Sequence, residues 1–249
     1  MLRPRLLTVI VLIHLSLFGP VLEAGAQDNP IESNLRDSAI NYVAGLYHNK
    51  VGKESNLYNG RERNPYNFPF LGSNPHFKEL TFVKGSIFYD EVLYKEVPLL
   101  YDVIRDELIL LHYDGFHQVH LVKQKVGWFT LKGHFFINIF PGSANNSLGG
   151  GYYEQLYDGG VDLLIKRSKK LSEKIDDHVI YSIASDASVF YLFKNGVYRP
   201  VKNSKGLLKL LEDKRAEINR YIRQNKIKFK GNLETSMTRV VAHYDQLNK

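Results

Sequence analysis

Cysteine is absent from the 249 residues, tryptophan occurs once and methionine twice. With no thiol the chain has no disulfide, no thiolate metal ligand and no cysteine nucleophile. It also lacks the residue that bacterial lipoproteins acylate. Long apolar runs are missing as well: the longest, Leu6 to Phe18, contains His14 and falls short of the roughly 20 apolar residues that span a bilayer. GxSxG, HExxH, P-loop and paired-cysteine motifs are all absent, so the sequence assigns no catalytic residue, cofactor or metal ligand.

The run from Leu6 to Phe18 follows Arg3 and Arg5 and precedes Gly19-Pro20 and Ala24-Gly25-Ala26, the layout of a cleavable signal peptide cut between Ala26 and Gln27. The expected product is soluble, has no transmembrane span and resides in the periplasm or outside the cell. Hydrophobic residues make up 44% of the chain and aromatic residues 12%, enough for a packed core without covalent staples. The sixteen tyrosines suit half-buried strand positions, where the ring packs and the hydroxyl reaches water.

Residues 27–34 read as a disordered lead-in. Ala39, Ile40, Val43, Ala44 and Tyr47 recur at helical spacing and predict a short helix over 35–52. An aromatic and proline-rich loop over 55–77 follows. Between residues 85 and 201 short β-rich runs alternate with turn signals, among them Asp114-Gly115, Asp158-Gly159 and Asn195-Gly196. After Pro200 the period becomes helical. Leu207, Leu210, Leu211, Ile218, Tyr221 and Ile222 share the inner face of one helix capped by Asn203 or Ser204. Leu233, Met237, Val240, Val241, Tyr244 and Leu247 share that of a second, starting near Asn232. The expected architecture is a single α+β domain over 35–249. It is a mostly antiparallel sheet, curved or partly closed into a barrel, with one short N-terminal helix and two C-terminal amphipathic helices.

Leu57-Tyr58-Asn59-Gly60, Pro75-His76-Phe77, Gly85-Ser86-Ile87-Phe88-Tyr89, Leu99-Leu100-Tyr101-Asp102 and Leu156-Tyr157-Asp158-Gly159, with the basic helical tail, form a recognisable set of words. In these the chain resembles a group of exported proteins of unknown function from Bacteroidetes-type bacteria. The resemblance spans roughly residues 35 to 247 and implies a location in or beyond a Gram-negative envelope. It implies no activity.

Two constellations carry chemistry. If Asp114-Gly115 turns a hairpin, His112 lies opposite His117, and the two imidazoles converge with only Asp114 or the distant His134 available to complete a metal site. Residues 202–230 contain ten Lys or Arg against Glu212, Asp213 and Glu217, in a chain of net charge +7. Lys205, Lys209, Arg215, Arg220 and Arg223, joined by Lys166, Arg167, Lys169 and Lys170, form a candidate surface for an acidic partner: an envelope protein, an anionic lipid or a glycan. Export argues against nucleic acid. The Gly149-Gly150-Gly151 run reads as a loop, and Ser185, Asp186, Ser188 and His178 are near one another only in sequence. The expected function is therefore a non-enzymatic envelope binding or interaction protein. The alternatives are a hydrolase acting on envelope lipid, glycan or peptide, and a structural component.

Overall fold

A computed structural model describes residues 56–140 and 148–248. The signal-peptide segment with Ala26 and Gln27, the lead-in and the helix expected over 35–52 lie outside the described residues. The described chain forms β1 (Arg61–Glu62), β2 (Val83–Tyr89), β3 (Val92–Asp102), β4 (Glu107–Leu111), β5 (Gln118–His120), β6 (Val126–Leu131) and β7 (His134–Ile139). These are followed by β8 (Gly151–Tyr157), β9 (Asp162–Lys166), β10 (Lys169–Asp176), β11 (Val179–Asp186), β12 (Val189–Lys194) and β13 (Val197–Val201). Three helices complete it: α1 (Ser204–Leu210), α2 (Arg215–Gln224) and α3 (Leu233–Gln246). No described helix is long and apolar enough to cross a membrane.

Eleven strands make one sheet in the order β1-β5-β4-β3-β2-β6-β7-β8-β9-β12-β13, and every pairing is antiparallel. The sheet is not closed into a barrel. Tight turns explain the meander: Asp90-Glu91, Lys132-Gly133 and Asn195-Gly196 each place two consecutive residues at positive φ, as a type I′ hairpin turn requires. Asp114-Gly115 behaves differently. Only Gly115 is left-handed (φ +79°), and its amide closes a turn on the His112 carbonyl at 2.9 Å. Asp114 Oδ1 instead accepts the amides of Phe116 and His117 at 2.9 and 3.0 Å, holding a longer loop.

The sheet curls strongly. In a flat sheet the β3–β4 corner lies five or six strand places from β9, roughly 24–29 Å at normal strand spacing. In the protein Asp106, in that corner, accepts a hydrogen bond from Lys166 Nζ at 2.6 Å. The same carboxylate accepts Lys123 Nζ at 2.8 Å, Tyr101 Oη at 2.7 Å and the Tyr152 amide at 3.3 Å. Inside the curl Tyr101, Phe129, Phe136 and Tyr152 are fully buried. Phe129 stacks on Phe136 with centroids 4.7 Å apart, and Tyr101 meets both edge-on. Alternate positions of β2, β3 and β4, including Ile87, Leu99, Leu108 and Leu110, complete this core.

A second core lies where the helices cover the far end of the sheet. Leu163 and Ile165 of β9 and Leu192 of β12 meet Leu207, Leu211, Ile218, Met237, Val240, Val241 and Tyr244. The single helix expected from Ser204 through Ile222 is broken in two. Lys194 Nζ donates to the Leu210 carbonyl at 2.9 Å and to Asp213 Oδ1 at 2.5 Å, while Tyr244 Oη donates to Asp213 Oδ2 at 2.7 Å. These tertiary partners satisfy the end of α1 and hold a 3-10 turn over Glu212–Lys214. Asn203 caps α1 by accepting the Gly206 amide at 2.9 Å, whereas Asn232, before α3, makes no side-chain capping bond.

β10 and β11 form a separate two-stranded ribbon, turned by Asp177-His178 with both residues at positive φ. Residues 170–180 are exposed throughout, so neither face carries a core pattern.

Gly151 sits at φ +128°, and a Cβ there would come 2.1 Å from Asp106 Oδ2 and 2.3 Å from Lys166 Nζ. Gly151→Ala is expected to cost at least about 2 kcal/mol, because it combines backbone strain with displacement of the half-buried Asp106–Lys166 ion pair. In a domain of this size that is about 4–8 °C in Tm by calorimetry. Gly115→Ala, at a positive φ with no atom within 4 Å of the added Cβ, costs about 1 kcal/mol through backbone strain alone.

Candidate functional site

The Asp106 corner opens onto a cavity of about 330 Å³ lined by Arg61, Arg105, Glu107, His120, Leu121, Val122, Lys123 and Tyr152. Strand register and side-chain contacts place its polar members. Register sets Arg61 of β1 opposite His120 of β5, and His120 opposite Ile109 of β4. Arg105 is fixed by its guanidinium, which lies 4.0 Å over the Tyr66 ring and donates to the Asn64 carbonyl at 2.6 Å. The corner itself is organised by Asp102, whose Oδ1 accepts the amides of Ile104 and Arg105 at 3.0 Å and Tyr66 Oη at 3.1 Å.

Three cationic side chains face one carboxylate around this cavity. Arg61 lies 3.7 Å from Glu107, and Lys123 is tied to Asp106. Three of the lining side chains, Glu107, His120 and Tyr152, keep buried polar atoms with no hydrogen-bond partner among the described residues. His120 is 6% exposed; its Nδ1 is 3.2 Å from Glu107 Oε2 but off the hydrogen-bonding direction, and its Nε2 has no partner among the described residues. Tyr152 is fully buried and its hydroxyl has no hydrogen-bond partner among the described residues. Burial lowers the His120 pKa against the attraction of Glu107, so its imidazole is neutral at physiological pH. Burial and nearby Asp106 push the Tyr152 phenol upward, which keeps its proton available for donation.

Electrostatics at the floor balance. Burial pushes the Asp106 carboxyl up, but the charge of Lys166 and hydrogen bonds from Lys123, Lys166 and Tyr101 outweigh it and hold the group below its usual range. Burial lowers the Lys166 ammonium despite its pairing with Asp106. Asp106 Oδ2 and the two lysines are therefore committed to one another, and Oδ1 is taken by Tyr101 Oη. Arg61, Arg105, His120 and Tyr152 stand outside this network.

His112 and His117 are brought together. Continuing the β4–β5 register past Leu111 and Gln118 sets them across from each other, with the His112 amide 2.8 Å from the His117 carbonyl. Asp114 Oδ2 lies 2.8 Å from His112 Nδ1 and 2.6 Å from His117 Nδ1. The hydrogen bond and charge of Asp114 raise the His117 pKa, and the same contacts hold Asp114 well below the usual carboxylate range. His134 is elsewhere: its Nδ1 meets Glu154 Oε1 at 2.5 Å and its Nε2 meets Lys78 Nζ at 2.9 Å.

The basic residues divide into two sets. Lys205, Lys209, Arg215, Arg220 and Arg223 on α1 and α2 are exposed and form no ion pair among the described residues. Lys166, Arg167 and Lys169 do not join them in a surface patch. Lys166 is bound to Asp106, Arg167 pairs with the buried Glu154 and with Glu234 of α3, and Lys169 donates to the carbonyls of Asn74 and His76. Their charge is spent on internal partners that the local sequence does not display.

Catalytic geometry is not assembled from the sequence-adjacent serines. Ser188 Oγ donates to Asp186 Oδ1 at 2.5 Å at the base of the ribbon, while His178 turns its far end, roughly 26 Å of strand away. Among the described residues no serine or threonine hydroxyl is hydrogen-bonded to a histidine. Sequence reasoning missed the cavity because its lining comes from β1, the β3–β4 corner, β5 with the stretch after it, and β8. Only the Asp102–Glu107 stretch, acidic and basic around a turn, signals a polar corner.

An open, curled antiparallel sheet with helices on one end and a polar cavity at its corner thus defines the class of protein. No protein-family model, curated protein or solved structure matches the chain.

His76, 8% exposed, accepts from Arg63 at 3.0 Å, and burial with the adjacent guanidinium drives its pKa down to about 4. The unfolded chain, with an ordinary value of 6.5, takes up this proton first, so stability falls as pH drops from about 6.5 toward 4. His120 acts in the same direction. Urea midpoints should decline over that window, and His76→Gln should flatten the slope; a parallel decline in the variant contradicts this.

Proposed function

We propose that this chain is an exported, non-enzymatic binding module that holds a small anionic group, a carboxylate or phosphate, in the cavity at the Asp106 corner. Export rests on Arg3, Arg5, the apolar run and Ala24-Gly25-Ala26. Binding rests on one observation: His120 and Tyr152, whose buried polar atoms have no partner among the described residues, line the same cavity as Arg61, Arg105 and Lys123. Unsatisfied buried donors cost about 1–3 kcal/mol each, and a ligand's oxygens would remove that cost while meeting the positive side chains. The volume is at the lower end of small-molecule sites. Preformed donors suit recognition of an anion's oxygens.

The exposed Lys209, Arg220 and Arg223 offer a second anionic contact of a different kind, a screened surface charge suited to a lipid or glycan.

A thermal-shift panel of inorganic phosphate, citrate and a phosphomonoester on the full chain distinguishes the two. A probe at about 100 times its Kd stabilises by about 2.7 kcal/mol, or about 5–10 °C in a domain of this size. The expected result is a shift that the Arg61→Ala/Arg105→Ala variant loses and the Lys209→Ala/Arg220→Ala/Arg223→Ala variant keeps. The reverse pattern, or no shift with any probe, overturns the cavity as the binding site.

A further inference from the structure

The loop between β4 and β5 carries a second chemistry, independent of the cavity. We propose that His112, Asp114 and His117 form a binding site for a divalent transition-metal ion of the zinc type. Their candidate ligand atoms all lie within 4.8 Å of one another. The three side chains come from one six-residue stretch, His112 to His117, so no long-range ordering is needed to assemble them.

The contacts place three donor atoms where a cation could replace the protons that now lie between them. Asp114 Oδ2 is approached by two ring nitrogens, at 2.8 Å from His112 and 2.6 Å from His117. Each nitrogen bears a lone pair unless it carries a proton, so two protons or one cation must lie between these atoms and the shared oxygen. His112 Nδ1 is also 3.5 Å from the Asp114 amide nitrogen, which donates toward it and favours the lone-pair form there. A single divalent ion satisfies both nitrogens and the carboxylate together. At metal–ligand distances of 2.0–2.1 Å a tetrahedral site needs donor separations of about 3.3 Å, so the two contacts open by about 0.5–0.7 Å on loading.

The donors are held from behind. Asp114 Oδ1 is occupied by the amides of Phe116 and His117, which leaves Oδ2 as the ligating oxygen. The His112 ring is packed by Tyr58, edge-on at 5.2 Å, and by Tyr113 at 3.9 Å. Such outer contacts orient ligands in metal sites. The side chains of His112, Asp114 and His117 are 20%, 30% and 65% exposed, so an ion has direct access. Two imidazoles and one carboxylate suit zinc-type ions, whereas calcium and magnesium require six or more oxygens. Three protein donors leave a fourth position for water. His117 also lines a neighbouring cavity of about 390 Å³ together with Glu62, Arg63, Pro65, Phe116 and Gln118, which gives that position room for a bound solvent molecule or an exogenous ligand.

The test is calorimetric titration of the tag-free full chain with zinc chloride, with cobalt(II) absorption as a second readout. One zinc per chain is expected, with visible cobalt bands of a four- or five-coordinate N/O site. His117→Ala and Asp114→Ala should each weaken zinc binding at least about tenfold, the loss that follows even removal of an outer partner. His178→Ala, in the exposed ribbon turn, should leave it unchanged. Circular dichroism confirms that each variant is folded; the loop is exposed, so the sheet does not depend on it. Absence of zinc uptake, or uptake that survives a folded His112→Ala/His117→Ala variant, overturns the site.

Discussion

One carboxylate spans the gap between two parts of the sheet that strand order sets far apart. Asp106 ties the β3–β4 corner to Lys166 of β9, to Lys123 after β5 and to the β8 backbone, and it accepts the Tyr101 hydroxyl from within the core. Drawing a charge partly out of water is costly unless its partners supply hydrogen bonds as well as opposite charge. Here four donors do so. The curl brings Tyr101, Phe129, Phe136 and Tyr152 into one aromatic centre, and Gly151 leaves the space through which Asp106 and Lys166 meet. Arg105 and Glu107 flank Asp106 in the chain, so the same corner that fixes the curvature also sets the walls of the cavity.

This dependence explains what the sequence displays and what it hides. Strands from β2 to β9, with β12 and β13, announce themselves, because each carries buried apolar residues and is bounded by turn residues; β11 is legible from Val179, Ile180 and Ile183, although none of these reaches a core. β10 does not announce itself: from Lys170 to Asp176 it stands in water on both faces and has no burial pattern to read. The inner face of α3 is legible through Met237, Val240, Val241 and Tyr244, which bury together at helical spacing. The break between α1 and α2 is hidden, since Lys194 and Tyr244, which hold Asp213, lie outside the segment they interrupt.

The two candidate binding centres differ in the same way. His112 and His117 face each other because of a local hairpin register, and local register is written in adjacent residues. Asp114 adds itself through an Asx-type loop instead of the two-residue turn its Gly115 neighbour suggests. The cavity has no such local signature. Arg61, Arg105, His120 and Tyr152 meet only after the sheet has curled, and the lysines that look like surface charge, Lys166 and Lys169, are consumed in holding it. Lys166, Arg167 and Lys169 thus serve as internal locks, whereas Lys205, Lys209, Arg215, Arg220 and Arg223 form no ion pair among the described residues.

The Asp106–Lys166 contact carries the central claim, and a double-mutant cycle isolates it. Urea denaturation of the parent, Asp106→Asn, Lys166→Met and the double variant should give a coupling energy of about 2–3 kcal/mol, with each single variant losing more than the pair removed together. A coupling near zero would contradict the account, since the sheet would then hold its curl without this bond.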